Sequence, residues 1–565
     1  MLINDNFSTE SELKQTLEFI YARSKEGKSL HGLLEIIAKE TTIITAIYNI
    51  KTNRGAYTPG LDKKDIDYYL QMPKEKLVGL VQKALMNYHP KPVKRIYILK
   101  DNGKKRPLGI PSLLERIMQE CIRMVIEPVA EARFYPHSYG FRPFRSCKHA
   151  IAQICFTINH GGKDKPVYAI EGDIKGFFDN VNHRTLLNKL FNIGVHDKRV
   201  IAIIRKMLKA GYCENGSIFN SEKGTPQGAI LSPLLGNIYL NSLDWIVGKM
   251  YEEPTRQDAD NAKVRRRLRS QGIMAKYHTR YADDWIILTQ TEQEARRLLE
   301  YLKRYFKAKL KLELSEDKTI ITNLAEKPAK FLGFLIKVGK PRPRPDNIGK
   351  EKLHPKVYPN PEKVHKKVSE ICKAIKELRR CRGDKERAVS MEKINSMIIG
   401  SMEYWKISIC SRTYKYMDNI IHKSAYATFK RIYPETYAEH RISTRDTGNC
   451  RTRHAKSRVT RTWAIKLGEA WVGITKAYMT KYQRLWYPYN QRKTPFTMEG
   501  RKLVMIEKRN TFLLDRPLLC DPVSLEYCVY RQGIYNFEYY MNREYAYSRD
   551  KGKCRLCGEW MSVSA

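Results

Sequence analysis

Two adjacent carboxylates, Asp283 and Asp284, follow Arg280-Tyr281-Ala282 and precede the apolar run Trp285-Ile286-Ile287-Leu288. Charges beside a run bound for the interior need a partner or a metal ion. The pattern predicts a β-hairpin: one strand rises to the Asp pair, turns, and returns through Trp285 to Leu288. At such a tip hard carboxylate oxygens can hold Mg2+. Two Mg2+ ions about 3.5–4 Å apart can clamp the attacking and leaving oxygens of a phosphoryl transfer. Nucleotide polymerisation is the chemistry this points to, and it requires a third carboxylate. Val167 to Ile174 reads as a buried strand ending in Asp173, with Lys175 to His183 as a turn into a helix. A lone Asp-Asp is more often a solvated turn. Two acid-bearing apolar strands in this order favour one shared sheet.

Further motifs stand in a consistent order along the chain. Arg106-Pro107-Leu108-Gly109-Ile110-Pro111 comes first, then Ser138-Tyr139-Gly140-Phe141-Arg142-Pro143, then Asp173-Ile174-Lys175-Gly176-Phe177-Phe178-Asp179. Gly224-Thr225-Pro226-Gln227-Gly228 and Leu231 to Asn237 follow, then Tyr281-Ala282-Asp283-Asp284, Leu314 to Thr319, and Phe331-Leu332-Gly333-Phe334. In these motifs, over about residues 50–335, the chain resembles the group II intron-encoded proteins, reverse transcriptases with RNA maturase activity. The resemblance implies an α/β right-hand polymerase, with fingers and palm built on an antiparallel sheet, an α-helical thumb and a basic C-terminal region.

Composition agrees. Lys and Arg number 103 against 60 Asp and Glu, a formal charge of +43. Such an excess favours a polyanionic partner. No apolar run is long enough to span a bilayer, so no membrane partner is expected. The N-terminus lacks the basic-then-apolar order of a signal peptide. The 12 Cys are scattered and read as reduced thiols.

The elements that must position the acids divide as follows. Residues 1–80 read as a mainly helical N-terminal extension and the start of the fingers, and 81–335 as fingers and palm. Within them Lys94 to Arg106 reads as a hairpin turning at Asp101-Asn102-Gly103. Residues 252–272 read as a polar insertion carrying Lys263, Arg265, Arg266, Arg267 and Arg269, either a surface loop or an RNA-facing one. Prolines over 336–360 predict a stiff linker. Val364, Val368, Ile371, Ile375 and Leu378 repeat at helical spacing. Two more helices are expected near 388–408 and 414–430, so 361–435 reads as the thumb or maturase domain. Residues 436–512 interleave cations such as Arg445, Arg451, Arg453 and Arg461 with Tyr478, Tyr482, Trp486, Tyr487 and Tyr489. Cations neutralise phosphates and aromatics stack on unpaired bases, so this region is expected to bind DNA.

The resemblance assigns roles at the site. Asp173, Asp283 and Asp284 would hold two Mg2+, with the Ile174 carbonyl as an extra ligand. Lys100 and Arg106 would bind the triphosphate of the incoming dNTP; a guanidinium offers bidentate donors and an ammonium a point charge. An aromatic under the sugar would exclude a ribose 2′-hydroxyl, and Phe178 or, alternatively, Phe177 is that gate. Gln227 would touch the nascent base pair, and Tyr281 and Lys318 the primer or template. Residues 513–565 resemble the start of a His-Asn-His endonuclease domain. No histidine follows His454, so cleavage is not expected. Cys520, Cys528, Cys554 and Cys557 are candidate ligands for a structural Zn2+.

The expected function is RNA-directed DNA polymerisation by a protein that binds its group II intron RNA, assists its splicing and copies it at a DNA target. The alternative is an RNA-binding splicing factor without catalysis. Related proteins imply a homodimer on RNA and a ribonucleoprotein on nucleoid DNA in a bacterial cytoplasm.

Overall fold

The computed structural model describes residues 7–99, 103, 105–160, 166–252, 261–339, 353–449, 460–480, 482–483, 487–507 and 559. Lys100 and the four candidate zinc cysteines lie outside them, as do Arg451, Arg453 and Trp486.

Alternation around Ile96 and Ile98 forms β1 (Val93–Leu99), which pairs antiparallel with β2 (Lys105–Ile110). In chain order there follow β3 (Tyr168–Gly172), β4 (Tyr212–Glu214), β5 (Ser217–Phe219), β6 (Tyr277–Tyr281), β7 (Asp284–Thr289), β8 (Ile320–Asn323), β9 (Ala329–Phe331), β10 (Phe334–Gly339) and β11 (His354–Pro359). They assemble as a fingers sheet β2-β1-β4-β5, a central sheet β6-β7-β3-β8 and a small sheet β11-β10-β9. All pairings in the central sheet are antiparallel.

The central sheet divides two hydrophobic cores. Ile170, Trp285 and Ile287 point into one, which also holds the helix Leu113–Glu131 and the N-terminal helices. Ala169, Ile286 and Leu288 point into the other, shared with the helices after residue 360. A sheet covered on both faces needs apolar residues at every position, which is why β7 reads as a continuous apolar run. Gly172 makes room for Trp285: a Cβ there would lie 2.0 Å from the indole.

Three helices follow the small sheet: Pro361–Glu377, Asp384–Trp405 and Ser411–Ile432. The first is capped by Asn360 and buries Val364, Val368, Ile371 and Ile375, as its spacing requires. Two stretches differ from their sequence reading. The expected linker 336–360 instead contains most of β10 and all of β11, paired in register from Phe334↔Pro359 to Gly339↔His354. Pro355 and Pro359 are tolerated because β11 is an edge strand. The expected polar loop at 252–272 contains a helix, Asn261–Ser270.

Beyond the three helices, β12 (Arg441–Ser443), β13 (Arg461–Leu467) and β14 (Ala470–Gly473) form an antiparallel sheet. Trp463 and Ile465 bury it against the second core. The helix Met498–Glu507 returns to the N-terminus: Phe496 stacks on Tyr21, and Arg501 ion-pairs with Glu18. Among the described residues no helix is long and apolar enough to cross a membrane.

Candidate active site

The Asp pair stands on a two-residue turn between β6 and β7. Tyr281 pairs with Asp284, leaving Ala282 and Asp283 as the turn. Ala282 adopts φ +58°, the positive φ that a tight hairpin turn demands. The neighbouring ladder ends at Gly172 paired with Trp285, so Asp173 and Asp284 are the residues that adjoin its last pair. Asp173, Asp283 and Asp284 gather at that end of the sheet, where the charges of Asp173 and Asp283 both reach Asp284.

The backbone after Asp173 is held from the other side. The Ser315 amide donates to the Asp173 carbonyl at 2.9 Å and the Lys175 amide to the Glu313 carbonyl at 3.0 Å. Ile174 is the bridge residue between them, opposite Leu314. In such a pair the flanking residues make the hydrogen bonds, so the Ile174 carbonyl points away from Leu314.

Two of the three acids, Asp283 and Asp284, are disturbed by burial and by neighbouring charge. Burial lifts the Asp283 carboxyl above its ordinary value; the Asp173 charge adds to this, while Arg106 and Arg280 oppose it. Asp284 is pushed up to about 6 by desolvation, then by Asp283 and Asp173, with Lys318 and Lys363 pulling the other way. Its outer edge is open to solvent, yet close packing on the remaining sides disfavours the ionised form. Lys318 Nζ stands 2.9 Å from Asp173 Oδ2, and that hydrogen bond raises the Lys318 pKa. Among the described residues no group of three or more His, Cys, Asp or Glu side chains stands ready-made to hold a metal. The donor chemistry nevertheless suits Mg2+: mutually repelling hard oxygens gathered at one end of the sheet, one already drawn to a cation.

Arg106 and Gln227 meet. Arg106 Nε donates to Gln227 Oε1 at 2.6 Å, and Gln227 Nε2 donates to Asp179 Oδ1 at 3.2 Å. The Gly109 amide also donates to the Gln227 carbonyl at 2.7 Å, joining β2 to this loop. Phe177 is buried against Phe178 and Tyr239. Phe178 is half-buried. Tyr281 is half-buried near Cys147, and burial raises its pKa.

Beneath the hairpin lies a network that sequence reading missed. Arg280 and Asp244 are fully buried, bonded at 2.7 Å (Nε to Oδ1) and 2.6 Å (Nη2 to Oδ2). His278 Nε2 lies 2.8 Å from Asp244 Oδ1. Burial pushes the Asp244 carboxyl up, but Arg280 and His278 outweigh it and hold it at about 2. Arg280 Nη1 also donates to the Ala282 carbonyl at 2.8 Å and to Asn237 Oδ1 at 2.9 Å. Asn237 Nδ2 donates in turn to the Gly140 carbonyl at 2.8 Å. Gly140 lies so close to the tip that a Cβ would sit 2.3 Å from the Ala282 nitrogen. The available signal was a lone acid, Asp244, inside the apolar stretch Leu240 to Val247, since a buried acid requires a cationic partner.

A sheet with acids at a hairpin tip and a facing strand end, under a fingers hairpin, defines a reverse transcriptase domain. The family model "Reverse transcriptase (RNA-dependent DNA polymerase)" matches residues 98–336. Group II intron-encoded protein LtrA of Lactococcus lactis subsp. cremoris is 37% identical over 365 residues, 57% of this chain and 59% of that protein. Protein YkfC of Escherichia coli (strain K12) is 33% identical over 331 residues, 56% of this chain and 85% of that protein. The putative COX1/OXI3 intron 1 protein of Saccharomyces cerevisiae is 28% identical over 368 residues, 59% of this chain and 43% of that protein. The chain thus spans less than two thirds of the length of LtrA. It belongs to the group II intron reverse transcriptase/maturase family.

Proposed function

We propose that this chain is an RNA-directed DNA polymerase that binds its group II intron RNA, assists its splicing and copies it at a DNA target. The observation that carries the reading is the convergence of three acids: Asp173, just beyond the end of β3, is near enough to Asp283 and Asp284 for its charge to raise both carboxyls. In this reading Asp173, Asp283, Asp284 and the Ile174 carbonyl hold two Mg2+, which when bound activate the primer 3′-hydroxyl and neutralise the triphosphate. The chain's own groups do the positioning. Arg106 moves from Gln227 to the triphosphate of a dNTP, joined by Lys100. Gln227 lies against the nascent base pair. Phe178, partly exposed where Phe177 is buried, blocks a 2′-hydroxyl. Tyr281 and Lys318 support the primer end; Lys318, which now contacts Asp173, would give up that contact when Asp173 serves as a ligand.

The +43 charge and the cationic face of the helix Pro361–Glu377 support binding to intron RNA and target DNA. The helices over 361–435 then act as thumb, and 436–512 as the DNA-binding region. A homodimer on the RNA and action in a bacterial cytoplasm complete this reading. The alternative, a splicing factor without catalysis, draws support from Lys318, which already occupies Asp173.

Primer extension on a primed RNA template, paired with splicing of the cognate intron, separates the two. Extension by the wild type, its loss in Asp283→Ala and retained splicing in that variant are expected. Absence of extension by the folded wild type with Mg2+ and dNTPs would leave only the splicing factor.

A further inference from the structure

Gln227 has a carboxamide with two unlike ends, and its neighbours tell them apart. A carboxylate only accepts hydrogen bonds, so Asp179 Oδ1 binds the Gln227 NH2 group, at 3.2 Å. A guanidinium only donates, so Arg106 Nε binds the Gln227 oxygen, at 2.6 Å. Rotating the amide by half a turn would set donor against donor and acceptor against acceptor. The backbone on both sides is pinned. The Thr225 amide donates to the Phe178 carbonyl at 2.7 Å and the Gly224 amide to the Val181 carbonyl at 2.8 Å. Gly224 passes so near that a Cβ would lie 2.9 Å from the Asp179 carbonyl oxygen, and its φ is +89°. Lys223 Nζ adds a bond to Asn180 Oδ1 at 3.0 Å. The Gln227 loop and the turn bearing Asp179 therefore keep a fixed spacing.

We propose that Asp179 is a positioning residue for nucleotide selection: it sets which end of the Gln227 carboxamide faces the incoming base pair. The inference rests on the polymerase reading and deepens it. Arg106 holds the oxygen end only while no triphosphate is present. Once a deoxynucleoside triphosphate draws Arg106 away, Asp179 is, among the described residues, the side chain that still orients the amide. A freely turning amide offers either a donor or an acceptor to the base pair, so correct and mismatched pairs are separated less well.

The test is single-nucleotide incorporation on a primed RNA template with the full chain, comparing kcat/KM for matched and mismatched dNTPs. Asp179→Asn, whose own amide accepts either orientation of Gln227, should lower the matched-to-mismatched ratio about tenfold, the scale of one charge-assisted hydrogen bond. Its KM for the matched dNTP should rise more than its kcat falls. Asp179→Glu, which keeps an acceptor-only partner, should regain most of the ratio. Combining Asp179→Asn with Gln227→Ala should cost no more than Gln227→Ala alone, because Asp179 acts through Gln227. A ratio changed less than twofold in Asp179→Asn, or full additivity in the double variant, would overturn the proposal while wild-type extension keeps the polymerase reading. Melting curves check that the variants fold; if Asp179→Asn fails to fold, Asp179→Ala, which also removes the acceptor, is measured in its place, and a ratio changed less than twofold there overturns the proposal. No extension by the wild type would remove both.

Discussion

Arg280→Met is the sharpest probe of how the core supports the turn that carries the Asp pair. Arg280 is fully buried and divides its donors between Asp244, Asn237 and the Ala282 carbonyl. Methionine replaces its stem but leaves Asp244 as a buried charge with His278 alone. Breaking a buried pair from one side typically costs about 3–5 kcal/mol. The Asp244 carboxyl gives a second measure: it is held at about 2 against an ordinary 3.8, worth roughly 2–3 kcal/mol. The sign follows from a depressed folded pKa. That stability is present above pH 3.8 and is lost as pH falls through about 2. Denaturant unfolding at pH 7 should show Arg280→Met weaker by about 3–5 kcal/mol in the transition that reports Trp285, and its loss of stability between pH 4 and pH 2 should be shallower than in wild type. Adding Asp244→Leu removes the stranded charge, so the double variant should regain most of the stability. It should not regain primer extension, because the Ala282 carbonyl still lacks its donor. A loss below about 1 kcal/mol in the single variant would refute the energetic reasoning; full extension by the double variant would refute the bracing of the turn.

Three further outcomes are expected. Asp284 carries a raised pKa, so its contribution to stability is full below pH 3.8 and declines as pH rises through about 6. Asp284→Asn should therefore melt above wild type at pH 8 without divalent metal, by a screened amount of about 1 kcal/mol or less, and converge with it at pH 4; equal melting at pH 8 contradicts this. Gly140→Ala drives a Cβ into backbone that cannot swing aside, so it should cost about 1–3 kcal/mol and lower extension by roughly 10²-fold. Wild-type extension rates in that variant would show that the turn tolerates displacement. Phe178→Ala should raise ribonucleotide incorporation relative to deoxynucleotide while Phe177→Ala chiefly lowers the melting temperature, since Phe177 is buried and Phe178 is not; the reverse pattern would exchange their roles.

The three acids of the candidate site were readable in the chain because each follows from local pattern: an apolar strand, a charge at its end, a two-residue turn. One ladder, ending with Gly172 paired to Trp285, then brings them together. The fingers β-hairpin and the helical stripe from Val364 to Ile375 were equally local. What stayed hidden depended on either weak or distant signals. The β4–β5 hairpin turns at Asn215-Gly216, with φ of +50° and +87°, the pair a tight turn prefers, but strands of three residues leave little periodicity to notice. Pro355 and Pro359 fit an edge strand as well as a linker, because a proline harms only the side of the ladder it would donate to. The Arg280–Asp244 pair is the instructive case. Arg280 lies within the stretch that first drew notice, yet nothing local says that it points inward, because β6 is buried on both faces and its partner sits on a helix 36 residues earlier. Exposed acids announce chemistry through their type, whereas the groups that aim them are chosen by packing, and packing joins residues that the chain keeps apart. Positioning residues such as Arg280 and Asp179 should therefore be sought one hydrogen bond away from a recognised motif residue, in the fold rather than along the sequence.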